Sequence, residues 1–361
     1  VKRIQSVDFL RGFTIILMIL VNTPGDWSYV YAPLLHAEWN GLTLADFVFP
    51  FFLFIVGISI SFVYKEKNRD TNTYKKIIFR SIKLIILGLF LNAFVPYIPF
   101  LEIKSLRIPG VLQRIGIVFC IASILYLNCT KRQLLMISGL ILVGYWLWLA
   151  YIPLPNGASP ILQRGSNNWA NYIDYKLLKG HIWKPDYDPE GILSTFPAIV
   201  TTLIGVFIGE ILISTKKRKL FFLSVIGTVF IVIGYMWGFL FPINKALWSS
   251  SFVLVTSGYA ILFLVLFYYL MDESKYNFGS VIKSVGANAI IIYFSSSILT
   301  KIFYLVHITQ DTSIHRWLFE CLFVYEFLDR SFSSFIYAIA VVVFYTLMSY
   351  VLYKKKIFFK V

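Results

Sequence analysis

The chain has 361 residues, of which 58% are hydrophobic, 18% aromatic and only 14% charged, whereas an ordinary soluble globular chain has about 45–50% apolar and about 25% charged residues. A water-soluble fold would leave much of that aromatic surface exposed, so the composition disfavours soluble-enzyme and disordered classes and points to a membrane protein. The formal charge of +15, from 33 Lys and Arg against 18 Asp and Glu, would suggest nucleic acid on a soluble domain; in an apolar chain it is tested first as a topology signal.

About ten apolar stretches are long enough, or nearly so, for a helix of about 20 residues to cross about 30 Å of hydrocarbon. The first, 9–24, begins in KRIQSVDFLRG, which places Asp8 and Arg11 at i,i+3 on one helical face, a spacing that permits pairing near the membrane surface. It runs into VNTPGD without a small-residue cleavage pattern and is read as a true span rather than a signal peptide. Further spans are predicted at 45–64, 77–97, 109–128, 133–152, 193–213, 219–240, 249–271, 282–304 and 333–353. The stretch 314–328 is too short and too charged for an eleventh span and fits an interfacial helix. The expected fold is all-α, a single polytopic transmembrane domain over 1–361 with no second soluble domain and no internal repeat.

Charge sets the orientation. With both termini cytoplasmic, the inside segments collect Lys2, Arg3, Lys65, Lys67, Arg69, Lys75, Lys76, Lys131, Arg132, Lys216, Lys217, Arg218, Lys219, Lys275, Lys354, Lys355, Lys356 and Lys360. The other side is more acidic, with Asp26, Glu38, Asp186, Asp188, Glu190, Asp311, Glu320, Glu326 and Asp329. This is the positive-inside pattern, and it closes with an even number of spans. The basic excess is thereby assigned to topology and anionic headgroups rather than to nucleic acid. Three non-cytoplasmic loops follow, 25–44, 153–192 and 305–332. Cys120, Cys129 and Cys321 have neither disulfide-framework density nor metal-site spacing.

Polar groups within or beside spans are costly unless they face a cavity or a partner, which directs attention to the first two spans and their loop. Asn22 ends span one, His36 lies in the loop and Asp46 opens span two. A His beside an amide and a carboxylate can take a proton from an amine nucleophile, with Asn stabilising an oxyanion. Equally, His36 can be an interfacial hydrogen-bonded residue and Asp46 a helix-start charge. RIPGVLQRIG sets Arg107 and Gln113–Arg114 at the start of span four, suited to a carboxylate or phosphate, or to internal pairing with Asp8 or Asp46. In DPEGILSTFPAI, Asp188 and Glu190 either bind a sugar or amine or only turn and cap the chain. Lys245 and Trp248, in INKALWSSSFVL, are interfacial anchors or a substrate rim. Asn288, Tyr293 and Ser295–Ser297 of span nine fit interhelical hydrogen bonds better than chemistry. His181, His307 and His315 lie scattered in outer loops, and no P-loop, HExxH or Cys/His metal pattern is present, so no metal is predicted.

The ordered blocks SVDFLRG, LMILVNTPG, LLHAEWNGLTLADFVFPFFLFIVGISISF, RIPGVLQRI, DPEGILSTFPAI and NKALWSSSFVL, running over nearly the whole chain, resemble the heparan-alpha-glucosaminide N-acetyltransferase family, including its bacterial homologues. The resemblance implies a multi-pass membrane acetyltransferase, placed in a bacterial inner membrane. Such an enzyme moves an acetyl group from cytoplasmic acetyl-CoA to an amino sugar or glycan on the other side. By motif, the family's essential His falls on His36 and its active-site Asn on Asn22, with Asp46 beside them. On their own chemistry and position, the donor-binding candidates are Arg114, Asp8, Arg11, Lys245 and Asn288. For the acceptor they are Asp188, Glu190, Trp39 and Trp248. His36 is expected to act as general base, an acetyl-histidine intermediate being the alternative. O-acetylation of an envelope glycan and solute or glycan transport are the competing functions, and a homodimer with membrane lipid around it completes the expected partners.

Overall fold

The computed structural model describes residues 4–66, 69–94, 106–214, 218–274 and 279–358. Among the expected inside residues, Lys2, Arg3, Lys67, Lys216, Lys217, Lys275 and Lys360 lie outside these segments, as does the end of the stretch 77–97. The described chain is almost wholly helical. Its long apolar helices are α1 (Gln5–Asn22), α2 (Val48–Tyr64, led in by a 3₁₀ turn Leu44–Phe47), α3 (Thr71–Phe94), α4 (Val111–Asn128) and α5 (Lys131–Tyr151). After a short α6 (Trp169–Leu178) come α7 (Thr195–Ile213), α8 (Lys219–Gly238) and α9 (Ser250–Tyr268), the last prolonged by a π-helical turn Tyr269–Glu273. The chain continues through α10 (Ser280–Ala287), α11 (Ala289–Leu305), a small antiparallel hairpin of β1 (His307–Thr309) and β2 (Thr312–Ser313), α12 (Ile314–Phe323) and α13 (Arg330–Lys354).

Nine of these described helices are individually long and apolar enough to cross a membrane, and α10 with α11, bent by 80° at their junction, passes the same test as a pair; counted as one span, the pair brings the number to ten. The predicted spans are thus present, and their even number returns both termini to one face, called here the terminal face. The break was not anticipated. It falls at Asn288, whose backbone leaves the helical region and whose side-chain amide donates to the Ile357 carbonyl at 3.2 Å. Hydroxyls from α13 hold both halves, Ser349 donating to the Ser284 carbonyl and Tyr345 to the Ser295 carbonyl. The stretch expected to lie at the interface is the ten-residue α12, too short to span.

Because lipid tails are as apolar as leucine, association between spans relies on close packing rather than on escape from water. α2 and α7 show this directly. A Cβ on Gly57 would run into the Thr202 carbonyl, and one on Gly205 into the Phe54 carbonyl, so the two backbones meet without side chains between them. Leu53, Phe54, Ile58 and Leu203 close around that crossing, fully buried. By contrast α5, α8 and α13 turn most of their surface outward, as lipid-facing helices do.

The connection 153–192 contains α6, which the sequence reading did not anticipate. Asn168 caps it, its side-chain oxygen accepting from the amides of Ala170 and Asn171. From α6 the buried Asp174 accepts the Ile192 amide at 2.8 Å, tying the connection to the start of α7.

Candidate active site

The loop from α1 to α2 turns inward at a capping box. Thr43 donates its backbone amide and hydroxyl to Oδ2 of Asp46, at 3.1 and 2.9 Å, and the Ala37 amide donates to the same oxygen at 3.2 Å. This fixes Asp46, 1% exposed, with its other oxygen aimed at His36. Nδ1 of His36 lies 2.7 Å from Oδ1 of Asp46. A carboxylate there is satisfied by an Nδ1–H tautomer, which leaves the lone pair of Nε2 for chemistry.

A second loop, between α8 and α9, meets the first. The Gly41 amide donates to the Ile243 carbonyl at 2.8 Å, and the Asn244 side chain donates to that of Asn40 at 3.0 Å. The clamp delivers Lys245, whose Nζ lies 3.1 Å from both ring nitrogens of His36 and 3.6 Å from Oδ1 of Asp46. The turn behind Lys245 is closed by Trp248 with φ of +50°, a left-handed conformation unusual for a bulky side chain. Its ring, wholly buried between Phe49 and Phe252 and donating to the Thr201 hydroxyl at 3.0 Å, holds that backbone in place.

His36, Asp46 and Lys245 open on a cavity of about 720 Å³, which Asn22 and Thr23 at the end of α1 also line. One wall is aromatic: Trp39, Tyr187 and Trp183 meet edge to face, and Trp39 is anchored by donation to the Leu162 carbonyl at 2.9 Å. Another wall is a polar stripe of α11, Tyr293, Ser296, Ser297, Thr300 and Lys301, spaced so that one helical face carries them all. The rim is closed by Arg107, which binds Asp188 through two nitrogens at 2.8 and 2.6 Å and Glu190 at 2.5 Å. Burial works against the charge on Arg107, but the two carboxylates outweigh it and raise its pKa.

A second cavity, of about 480 Å³, lies toward the terminal face. It is mostly apolar, and its polar groups are the guanidiniums of Arg11 and Arg80 with Ser59 and Tyr64. Arg11 pairs with Asp8 at 3.2 Å and donates to Ser59 at 3.1 Å. Arg80 lies over the Phe119 ring at 4.8 Å and keeps a buried Nε–H without a hydrogen-bond acceptor. Phe52, Leu112, Ile115 and Ile290 line both cavities, which therefore meet across these four side chains. Ile290 stands in the first turn of α11, just past the break at Asn288. The bent span thus brings its corner to the junction.

A sequence model of the family described as "Heparan-alpha-glucosaminide N-acetyltransferase, catalytic" matches residues 3–238. The chain belongs to this family. It is 29% identical over 417 aligned positions to the Homo sapiens heparan-alpha-glucosaminide N-acetyltransferase, covering 99% of this chain and 60% of that protein. Against the Mus musculus protein of the same name it is 28% identical, covering 100% of this chain and 61% of the relative. The chain spans about three fifths of the length of these curated relatives.

In this heparan-alpha-glucosaminide N-acetyltransferase family member, the residues singled out in the sequence fall on the two cavities unevenly. His36, Asn22, Asp46, Lys245, Glu190 and Trp39 all line the outer cavity, and Arg11 lines the inner one. Asp8 supports Arg11 from outside both walls. The others stand apart from both cavities: Asp188 is buried beneath Arg107, Asn288 sits at the helix break, and Trp248 anchors the turn that carries Lys245. Arg114 is 1% exposed with its guanidinium over Trp248; it donates to the Gly191 carbonyl at 2.9 Å and to Ser194 at 2.5 Å, so its contacts are not the expected Asp8 or Asp46. The sequence reading passed over Arg80 and Lys301, although an ionisable side chain inside an apolar run is itself a signal. Among the described residues no group of three or more His, Cys, Asp and Glu forms a metal-holding cluster.

Proposed function

We propose that this chain is a transmembrane acetyltransferase that carries an acetyl group from acetyl-CoA, bound from the terminal face, to an amino sugar or glycan at the outer cavity. The observation that carries the reading is the pair of cavities meeting at Phe52, Leu112, Ile115 and Ile290, one provided with two guanidiniums and the other with a carboxylate-oriented imidazole. Family membership gives the reaction class. The basic residues Lys65, Arg69, Lys131, Arg132 and Lys354 to Lys356 support a cytoplasmic terminal face by the positive-inside rule.

The inner cavity fits the nucleotide part of acetyl-CoA because Arg11 and Arg80 suit phosphate, which guanidinium meets through two parallel hydrogen bonds. A slender thioester arm passing the apolar junction would place its carbonyl beside His36. There, Nε2 of His36 takes a proton from the attacking amine while Asp46 holds the ring in the tautomer that leaves Nε2 free. Asn22, on the same cavity wall, supplies a donor for the oxygen that becomes negative in the tetrahedral state, a contribution worth about 3–4 kcal/mol when well placed. Trp39, Trp183 and Tyr187 offer the flat apolar faces on which a sugar ring packs, with Glu190 and Arg107 at the edge for its polar groups.

The test is acetyl transfer by purified protein in lipid, with labelled acetyl-CoA and a panel of amino sugars and cell-envelope glycans. Product-linked label that disappears in His36→Ala, in a variant with an unchanged melting profile, is the expected result. Undiminished turnover in that variant would remove His36 from the mechanism.

A further inference from the structure

The contact between Lys245 and His36 has a geometry that limits what the lysine can be doing. Nζ is equidistant, at 3.1 Å, from Nδ1 and Nε2. An ammonium in the ring plane at that distance from both nitrogens would overlap Cε1, so Nζ lies over the face of the imidazole. The in-plane lone pair of Nε2 therefore remains open to the cavity, and the cation is stacked beside the base instead of capping it. The position is built: the Asn40–Asn244 and Gly41–Ile243 hydrogen bonds clamp the two loops, and Trp248 locks the turn. Around the same chamber the other charged groups are Glu38, Asp46, Arg107, Glu190 and Lys301.

We propose that Lys245 is the general acid of the transfer, protonating the sulfur of the leaving thiol while His36 takes the proton of the attacking amine. This rests on the acyl-transfer reading above and adds the residue that handles the leaving group. As the amine nitrogen bonds to the acyl carbon, the carbon–sulfur bond breaks and its electron pair stays on sulfur. One N–H proton goes to Nε2 of His36, and one ammonium proton of Lys245 goes to sulfur to give the thiol. The imidazolium and the neutral lysine amine then stand side by side in the cavity, and return of the proton from the first to the second through water in the cavity restores both, with no proton gained or lost. Lys245 suits the role for a further reason. Burial lowers its pKa, against the opposing pull of Asp46 and Glu190, which makes its ammonium a better proton donor than one in water.

The experiment compares wild type, Lys245→Met and Lys245→Arg with two acetyl donors, acetyl-CoA and an acetyl aryl thioester whose thiolate leaves without a proton. With acetyl-CoA, kcat is expected to fall about 10²–10³-fold in both variants, because methionine has no proton to give and guanidinium does not release one. The alkaline fall of the wild-type rate, set by loss of the ammonium proton, disappears from both variants. With the aryl donor the variants stay within about threefold of wild type. Equal losses on both donors would make Lys245 a structural or charge-balancing residue, and a fully active Lys245→Arg would show that charge alone suffices; either overturns the proposal. Where the aryl donor is not turned over by wild type, the alkaline limb with acetyl-CoA decides, and its persistence in Lys245→Met overturns the proposal. A wild type inactive with acetyl-CoA on every acceptor would strike the acyl-transfer reading instead.

Discussion

His36 and Asp46 stand ten residues apart in the chain, and 2.7 Å separates Nδ1 of the one from Oδ1 of the other. The same carboxylate oxygen is 3.6 Å from Nζ of Lys245, and its twin is the acceptor of the capping box that starts α2. One buried acid thus starts a membrane helix and sets the tautomer of the proposed base.

Asp46→Asn keeps the shape of the side chain but loses the acceptor that selects the Nδ1–H tautomer. Acetyl transfer is expected to fall about 10³–10⁴-fold in kcat, as for other oriented imidazoles that lose their carboxylate. Steady-state kinetics beside a melting curve checks this, and a loss confined to KM would contradict it.

Arg80 is the group whose deletion should separate donor binding from chemistry. Arg80→Met is expected to raise KM for acetyl-CoA about tenfold or more, one charge-assisted contact being worth about 1.5–3 kcal/mol. KM for acetyl-pantetheine, which has no nucleotide to bind, should stay unchanged. Equal effects on both donors would take Arg80 out of phosphate recognition.

The crossing of α2 and α7 has no room for side chains at Gly57 and Gly205. Gly57→Leu forces the helices apart, and overpacking of this kind typically lowers stability by about 1–3 kcal/mol. Unfolding in detergent should show a marked drop in midpoint, whereas the same change at Gly144 on α5, where nothing lies within 4 Å, should leave it in place.

Asp174, outside the spans, gives the fold a pH dependence of unusual sign. Burial, with the neighbouring Asp188 adding to it, raises its pKa to about 7 from an ordinary 3.8. Between these values the folded state holds a proton that the unfolded state releases, so stability declines as pH rises from about 4 to about 7 and is flat beyond. Asp174→Asn should flatten that slope relative to wild type in melting curves taken across the same range; an unchanged slope would place the titration elsewhere.

The spans were legible because each is apolar on average despite the few ionisable side chains it carries, and mean hydropathy needs nothing else. Asp8–Arg11 was legible too, since its partners share one helical face. What escaped has a common cause. A window of hydropathy cannot see the break at Asn288, because the segments on its two sides together read as one apolar stretch. Nor can it see that Lys245 reaches His36 from 209 residues away. The two loops that bring Lys245 to His36 are clamped by one backbone and one side-chain hydrogen bond, whose partners lie about 200 residues apart and leave no local pattern. Arg114 misled for the opposite reason: a cation near a predicted site reads as a ligand group, yet its partners are a carbonyl and a hydroxyl.

The four side chains common to both cavities, Phe52, Leu112, Ile115 and Ile290, are all without a polar atom. They give a hydrated ion no polar partner, so in the proposed transfer a neutral acyl group would pass this junction more readily than an ion would. A cell could then run this reaction on an energised membrane with less drain on its electrical gradient.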